Sequence, residues 1–519
     1  MATTAMPVLE PEGRIRRDWW RWGDGAVLLA YSATVLWTLQ YHEKWADEAQ
    51  AWLIARDLDL GSIWFHELRY EGSPGLWHTI LWVAQHVFHA RYEALGYIGA
   101  AFAIAGTAVL LFWAPFPRYI RWPLAFTYVL LYQYAVIARP YTLLPLLAFC
   151  GAIFFKDVKK PERMTIILGL LALLTLHGAI LAGCLGVAYL LEAAKEWSNL
   201  GPEVRKRYWI CGAILAATFV FVLVILKPTP DVEEFAVKKE LALLPKIIQG
   251  QQPTWSMKLE SVLSGAFLDY TTASVAFVLL VGAWCALRRK LVVYALPLAT
   301  LVGLYVAVHG YAHHHGTVTI AAITAVWIAW PGRDERNGLP VEQRRAFVGV
   351  CACLVTFCAV NIWDSVAAIK HEYLYPYSGA GDAAQFLKSR QAEKQPIFGL
   401  LYGVVGIQAY FDHNIFANLH TSFFHHGLPL EGIELDMDEV LRVKPEYIVA
   451  FTEQPQLMMD SGVLSGLGPA GYKIVHFSDG YLLYKGGVYV RQAYFILART
   501  ASGDQVEPTR EHSMRGSTK

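Results

Sequence analysis

The sequence predicts a polytopic, all-α membrane protein: a bundle of about eleven spans carrying a C-terminal α/β domain on its outer face. Three observations predict it. Of the 519 residues, 55% are hydrophobic and only 17% charged, against about 25% charged in a soluble domain. Apolar runs of near-spanning length recur along roughly the first seventy per cent of the chain. Beyond Asp364 the pattern changes to amphipathic helix and alternating strand.

The elements follow in order. Residues 1–25, with the basic and aromatic "GRIRRDWWRW", form a cytoplasmic N-terminal segment with no small-residue cleavage site after it. Apolar segments lie near 26–41, 75–90, 94–114, 121–136, 139–156, 164–177, 178–192, 208–226, 266–286, 291–308, 317–331 and 346–363. Basic loops face the cytoplasm, which places "KDVKKPERM", "KEWSNLGPEVRKRYW", "LRRK" and "GRDERNGLPVEQRR" inside. The loops at 42–74 and 227–265, the turn at His177-Gly178, "HGYAHHHG" at 309–316 and everything after Asp364 then lie outside. Residue 42 and Arg139 are both outside although three apolar segments separate them, so one of the three does not cross. The segments at 75–90 and 121–136 are short against a span of about twenty residues.

Within 364–501, "GDAAQFLKSR" predicts a helix, "QPIFGLL" a strand, and "MDEVLRVKPEYIVAF" a helix running into a buried strand. "YKIVHFSDGYLLYKGGVYVRQAYFIL" predicts two or three strands turning at Ser478-Asp479-Gly480 and Gly486-Gly487. Residues 502–519 form a polar, disordered tail. The seven cysteines lie in or beside apolar runs, as buried free thiols. A net charge of +1 leaves no electrostatic footprint for nucleic acid. Eighteen tryptophans suit a chain with many membrane interfaces.

The chemistry-bearing residues collect outside. In the first outer loop, Asp47 and Glu48 open a helix whose apolar residues predict an interfacial position. Carboxylates suit a helix N-terminus without any further role. "HELRYEGSPGLWH" then gathers His66, Glu67, Arg69, Glu71 and His78 around a turn that feeds an apolar segment. In "VIARPYTLLPLL", Arg139 stands in apolar sequence before Pro140 and Tyr141; a guanidinium there needs a polar cavity, a partner or the interface. His177 reads equally as a structural group at a span end. His313, His314 and His315 are consecutive, and on a helix they diverge, with no adjacent carboxylate or cysteine to complete a metal site.

Taken together, this order of features resembles the GT-C integral-membrane glycosyltransferases that use polyprenyl-phosphate sugars. They are the acid pair, "YEGSPGLWH", "ARPY", an outer-turn histidine and "HHHG", spread over roughly residues 20–365. The nearest likeness is to the bacterial RgtA/B/C/D-like group, related to the protein O-mannosyltransferases and the lipid A aminoarabinose transferases. The resemblance implies a transmembrane catalytic module over 26–363. It implies inverting transfer of a sugar from a polyprenyl-phosphate donor to a hydroxyl of a glycan, lipid or protein, at the outer face of a bacterial inner membrane. Asp47 would be the general base, with Glu48 second. Arg139, Arg69, His177 and His313–His315 would supply cations for the leaving phosphate, with Glu71, His78 and Tyr141 also in the binding site. Some relatives hold a divalent cation with a second outer acid; no counterpart stands here, so no cofactor is implied with certainty and a divalent cation is left open. The rival reading is a transporter or flippase with the same outer cavity, expected to show paired repeats and broken helices.

Overall fold

The computed structural model describes residues 12–227, 229–230, 253–308, 310–425, 436–460 and 463–500. Among these, five helices are long and apolar enough to cross a membrane: Ala94–Trp113, Leu176–Lys195, Pro202–Ile225, Leu291–Val308 and Val341–Leu374. The pair Trp255–Ala266 and Thr271–Leu287, bent by 70° at its break, makes a sixth. The chain is thus a mostly helical protein built for membrane insertion, with six such segments among the described residues against the eleven spans expected.

The shortfall has a physical reason. The segments at 75–90, 139–156, 164–177 and 317–331 hold helices of only 11, 11, 12 and 14 residues. An 11-residue helix rises about 16 Å, roughly half a hydrocarbon core. All of Gly316–Ala329 is buried, so its apolar run answers to protein neighbours rather than to lipid. The segment at 121–136 is not one helix: Arg118–Ala125 contains Pro123, and Val129–Gln133 is an isolated π-helical turn. The first segment belongs to a helix, Glu12–Thr38, that runs through the boundary expected at residue 25.

The bundle has two distinct ends. At one, the basic loops meet: Lys290 pairs with Glu192 at 2.7 Å, Arg288 with Glu335 at 2.5 Å, and Arg207 with Glu162 at 3.0 Å. At the other end of the same helices stand His177, which opens Leu176–Lys195, and His315, which precedes Gly316–Ala329. Here Trp37, Tyr41 and Tyr373 form an exposed aromatic cluster with ring centroids 4.9–6.0 Å apart, as rings do at headgroup depth.

The helix Val341–Leu374 is 34 residues long, about 50 Å at 1.5 Å per residue, and passes ten residues beyond the domain boundary expected at 364. Its tip leads into a four-stranded sheet of β1 (Ile397–Leu400), β2 (Tyr447–Thr452), β3 (Tyr472–Leu483) and β4 (Tyr489–Arg499). The order is β1-β2-β4-β3, with β1 and β2 parallel and the other pairs antiparallel. Alternate residues serve opposite faces. Val449, Phe451, Tyr494 and Ile496 pack on the helix Ala380–Ser389, while Ile448, Ala450, Phe495 and Leu497 pack towards Val440 of Met437–Val443.

The turn expected at Ser478-Asp479-Gly480 is absent; β3 runs straight through it, with Gly480 opposite Gln492. Gly480 serves a close approach instead. A Cβ there would lie 2.4 Å from Cα of Ser378 and 2.6 Å from its carbonyl carbon. Because backbone cannot swing aside, Gly480→Ala is expected to cost about 1–3 kcal/mol, read as a lower apparent Tm. An unchanged Tm would mean the strand and the 376–379 segment do not touch. The second expected turn, at Gly486-Gly487, is present, with both glycines at positive φ. The tail after Ala501 lies outside the described residues.

Candidate functional site

The segment expected to be the first outer loop forms the helix Ala46–Asp57. It does not lie on the membrane surface as an interfacial helix. Ala46, Glu48–Ala55 and most of its surface are buried between the bundle and the sheet unit. Glu48, at its third position, turns back to accept from the Trp45 N–H at 3.3 Å, a stabilising device at a helix start. Its remaining lone pairs take the Ala138 N–H at 2.7 Å and His42 Nε2 at 3.0 Å. The other face of that imidazole, Nδ1, lies 2.9 Å from Glu372, which also accepts from the Tyr132 hydroxyl at 2.6 Å.

Every member of this chain is buried. Burial works against a charge on His42, yet Glu372 and Glu48 outweigh it and raise its pKa to about 10. Burial likewise opposes the Glu48 carboxylate, and His42 overrides it, holding the acid below its ordinary range. This corrects the expected place of Glu48 beside Asp47 in the chemistry. A carboxylate with no exposed surface and its oxygens held by Trp45, His42 and Ala138 positions the loop and has no free path to a substrate proton.

Asp47 does the reverse. Its Oδ2 stands 3.0 Å from Nη1 of Arg139, with each side chain about one-fifth exposed. Arg139 precedes Pro140 and has the extended backbone that a pre-proline residue favours, φ −122° and ψ 169°. Its guanidinium lies 5.8 Å from the ring centroids of both Trp45 and Tyr141, a cation–π arrangement. Trp45, Arg139, Tyr141 and His313 line a narrow cavity of about 20 Å³, room for little more than water. Its opposite wall comes from the C-terminal part: Tyr377, Leu483 and Tyr484.

The histidines gather behind Tyr141. Its hydroxyl is 3.0 Å from Nδ1 of His177, and the His314 ring lies 4.6 Å from His177 and 5.8 Å from Tyr141. Gln133 fixes the turn by donating to the His313 carbonyl at 2.8 Å. Burial first, and then Arg139 for His313 and His177 for His314, hold both well below the ordinary imidazole pKa. They are neutral at pH 7, so they offer one N–H each rather than the cationic charge expected of them; Arg139 is the cation of the site. His315 is buried elsewhere, its ring over Gly265, where a Cβ would sit 2.4 Å from Nδ1. It belongs to packing, not to the cavity. His309 lies outside the described residues.

The remaining charged residues of the first loop do not line the cavity. Gln50 donates to Glu71 at 2.8 Å and to the Phe424 carbonyl at 2.5 Å, and accepts from the Phe424 N–H at 3.1 Å. Glu67 meets His425 at 3.1 Å, Asp57 takes the Ser422 hydroxyl, and Glu43 takes the N–H groups of Gly381 and Asp382. His78 is buried 3.8 Å from Glu71, and Arg69 is exposed. The density of charge that singled out Glu71 and His78 is a clamp that holds the sheet unit onto the bundle.

Residues here that the sequence did not single out include His42, Trp45, Tyr132, Gln133, Glu372, Tyr377, Leu483 and Tyr484. His42 sits in the same charged stretch as Asp47. Glu372 is 330 residues from its partner, and no local pattern marks such a pairing. Among the described residues no group of three or more His, Cys, Asp or Glu side chains could hold a metal ion. No family model, no curated protein and no solved structure matches this chain.

Proposed function

We propose that this protein is a membrane glycosyltransferase that moves a sugar from a polyprenyl-phosphate carrier to an acceptor hydroxyl at the outer face of a bacterial cytoplasmic membrane. The observation that carries the reading is the Asp47–Arg139 pair at 3.0 Å, partly exposed at the bundle end opposite the basic loops. A base and a phosphate-binding cation are the two groups such a displacement needs.

In this reading the donor phosphate takes Arg139 from Asp47 and thereby frees the carboxylate. The acceptor oxygen attacks the anomeric carbon as its proton passes to Asp47. The bond from that carbon to the phosphate oxygen breaks with inversion, and its electron pair stays on the lipid phosphate, held by Arg139 and by N–H groups of the neutral imidazoles. The sugar enters when Leu483 and Tyr484 withdraw, because the cavity between them and Arg139 is too narrow for it. The eleven-span count, the outer position of the sheet unit and the periplasmic orientation belong to the same proposal.

The test is transfer of radiolabelled sugar from synthetic polyprenyl-phosphate hexoses and pentoses to membrane acceptors by the full chain in vesicles. Arg139→Ala is expected to lower that transfer by about 10²–10³-fold, the usual effect of removing one charge-stabilising group. Transfer within threefold of wild type would remove Arg139 from the mechanism. A transporter or flippase remains the second reading, favoured by the 70° break after Ala266, since transporters build their sites on broken helices. Uptake of label into vesicles without a covalent product would favour it.

A further inference from the structure

We propose that the groove at the carboxyl ends of β1 and β2 is the acceptor subsite, and that it takes a carbohydrate, with Tyr402 and Glu453 as its recognition groups. This rests on the glycosyltransferase reading for the word acceptor, but not for the groove or its ligand class.

The groove is separate from the Arg139 cavity and much larger, about 350 Å³, within the usual size of small-ligand sites. It lies where parallel strands end, the position at which open α/β sheets place ligands. Its composition suits a sugar. Tyr402 presents aromatic surface, Glu453 and Gln454 present acceptors and donors for hydroxyls, and Leu457 gives an apolar floor that is 59% exposed. Tyr402 donates its hydroxyl to Glu453, and Gln492 lies 3.5 Å from the same carboxylate oxygen, so the carboxylate is held at the rim rather than loose in solvent. The turn that delivers Tyr402 begins at Leu401, with φ 70° and ψ 154°. That backbone region is essentially glycine's own, and strained residues of this kind cluster at ligand sites.

The groove also adjoins the proposed chemistry. The turn after β1 packs on the first turn of the Asp47 helix: a Cβ on Gly406 would lie 3.6 Å from the Ala46 nitrogen. Phe424, clamped to Gln50 of that helix, touches Tyr402 ring to ring at 6.1 Å. The charge of Asp47 is felt at both Tyr402 and Tyr484, and that of Glu453 at both as well. Asp47 is thus within electrostatic reach of Tyr484 at the Arg139 cavity and of Tyr402 at the groove. A base must occupy this position if the acceptor hydroxyl and the phosphate leaving group are to flank one anomeric carbon.

The test uses the full chain in detergent and saturation-transfer NMR against maltotriose, cellotriose, chitotriose and mannotriose. At least one trisaccharide is expected to bind wild type, and Glu453→Gln and Tyr402→Phe are each expected to weaken it tenfold or more. The same substitutions should raise the acceptor KM in the transfer assay while leaving the donor KM unchanged, a split that a merely structural role would not give. If none of the four binds, or if both variants bind as wild type does, the groove is not a carbohydrate site. Binding that is lost in the variants of a protein that never transfers sugar would keep the groove and sink the catalytic reading. Transfer with an unchanged acceptor KM would do the opposite.

Discussion

Asp47→Asn is expected to lower sugar transfer by about 10³-fold or more, at the upper end of what a lost general base costs. The amide has the shape of the carboxylate but cannot accept a proton from the attacking hydroxyl. The substitution leaves Arg139 without its anionic partner 3.0 Å away, yet both side chains are partly exposed. The amide oxygen can still accept from the guanidinium, so the fold should lose little, on the order of 1 kcal/mol. The measurement is therefore paired: transfer rate with saturating donor and acceptor, and apparent Tm in the same detergent. Rate loss with an unchanged Tm assigns Asp47 to the chemistry. A variant that turns over at the wild-type rate would show that Asp47 only holds Arg139. If that were its whole role, Asp47→Asn and Arg139→Ala together would be no worse than Arg139→Ala alone, which the double-mutant comparison reads directly.

How far the sequence reaches is visible in individual residues. Asp47 and Arg139 could be singled out because charge beside apolar sequence is costly and therefore informative, and the two meet. The sheet strands were legible where a short apolar run stands between polar segments, as in "YIVAF" at 447–451. Gly480 was misread because glycine signals both turns and close backbone approach, and only the partner, Ser378, distinguishes them. Spans are hard to count from sequence because an apolar run looks alike whether lipid or protein covers it; Gly316–Ala329, buried along its whole length, is the clearest case. That Glu71 and His78 lie away from the Arg139 cavity was hidden for a related reason. Local sequence shows that charge is concentrated, but not whether its partner is a substrate or, as here, the 421–425 segment of the same chain.

The largest effect on stability should come from His42→Ala. Below pH 6.5 the imidazolium joins two buried carboxylates, Glu48 and Glu372, at 3.0 and 2.9 Å. Removing it leaves them facing one another without a cation, and breaking a buried pair in this way costs about 3–5 kcal/mol. The pH dependence has a definite sign. The His42 pKa is raised from 6.5 to about 10, so its contribution is complete below pH 6.5 and is lost as pH rises through about 10. The Glu48 pKa is lowered from 4.5, so its contribution is present above pH 4.5 and is lost as pH falls through its folded value. The Tm difference between wild type and His42→Ala should thus be greatest between about pH 4.5 and 6.5 and shrink towards pH 10. A difference that grows with pH, or a variant that melts with wild type at pH 6, would show that the three groups do not form one charged chain. Because Glu48 fixes the turn that aims its neighbour Asp47 at Arg139, His42→Ala should also slow transfer. That loss should lie in kcat rather than in the KM for either substrate, as expected of a group that positions the base without touching sugar.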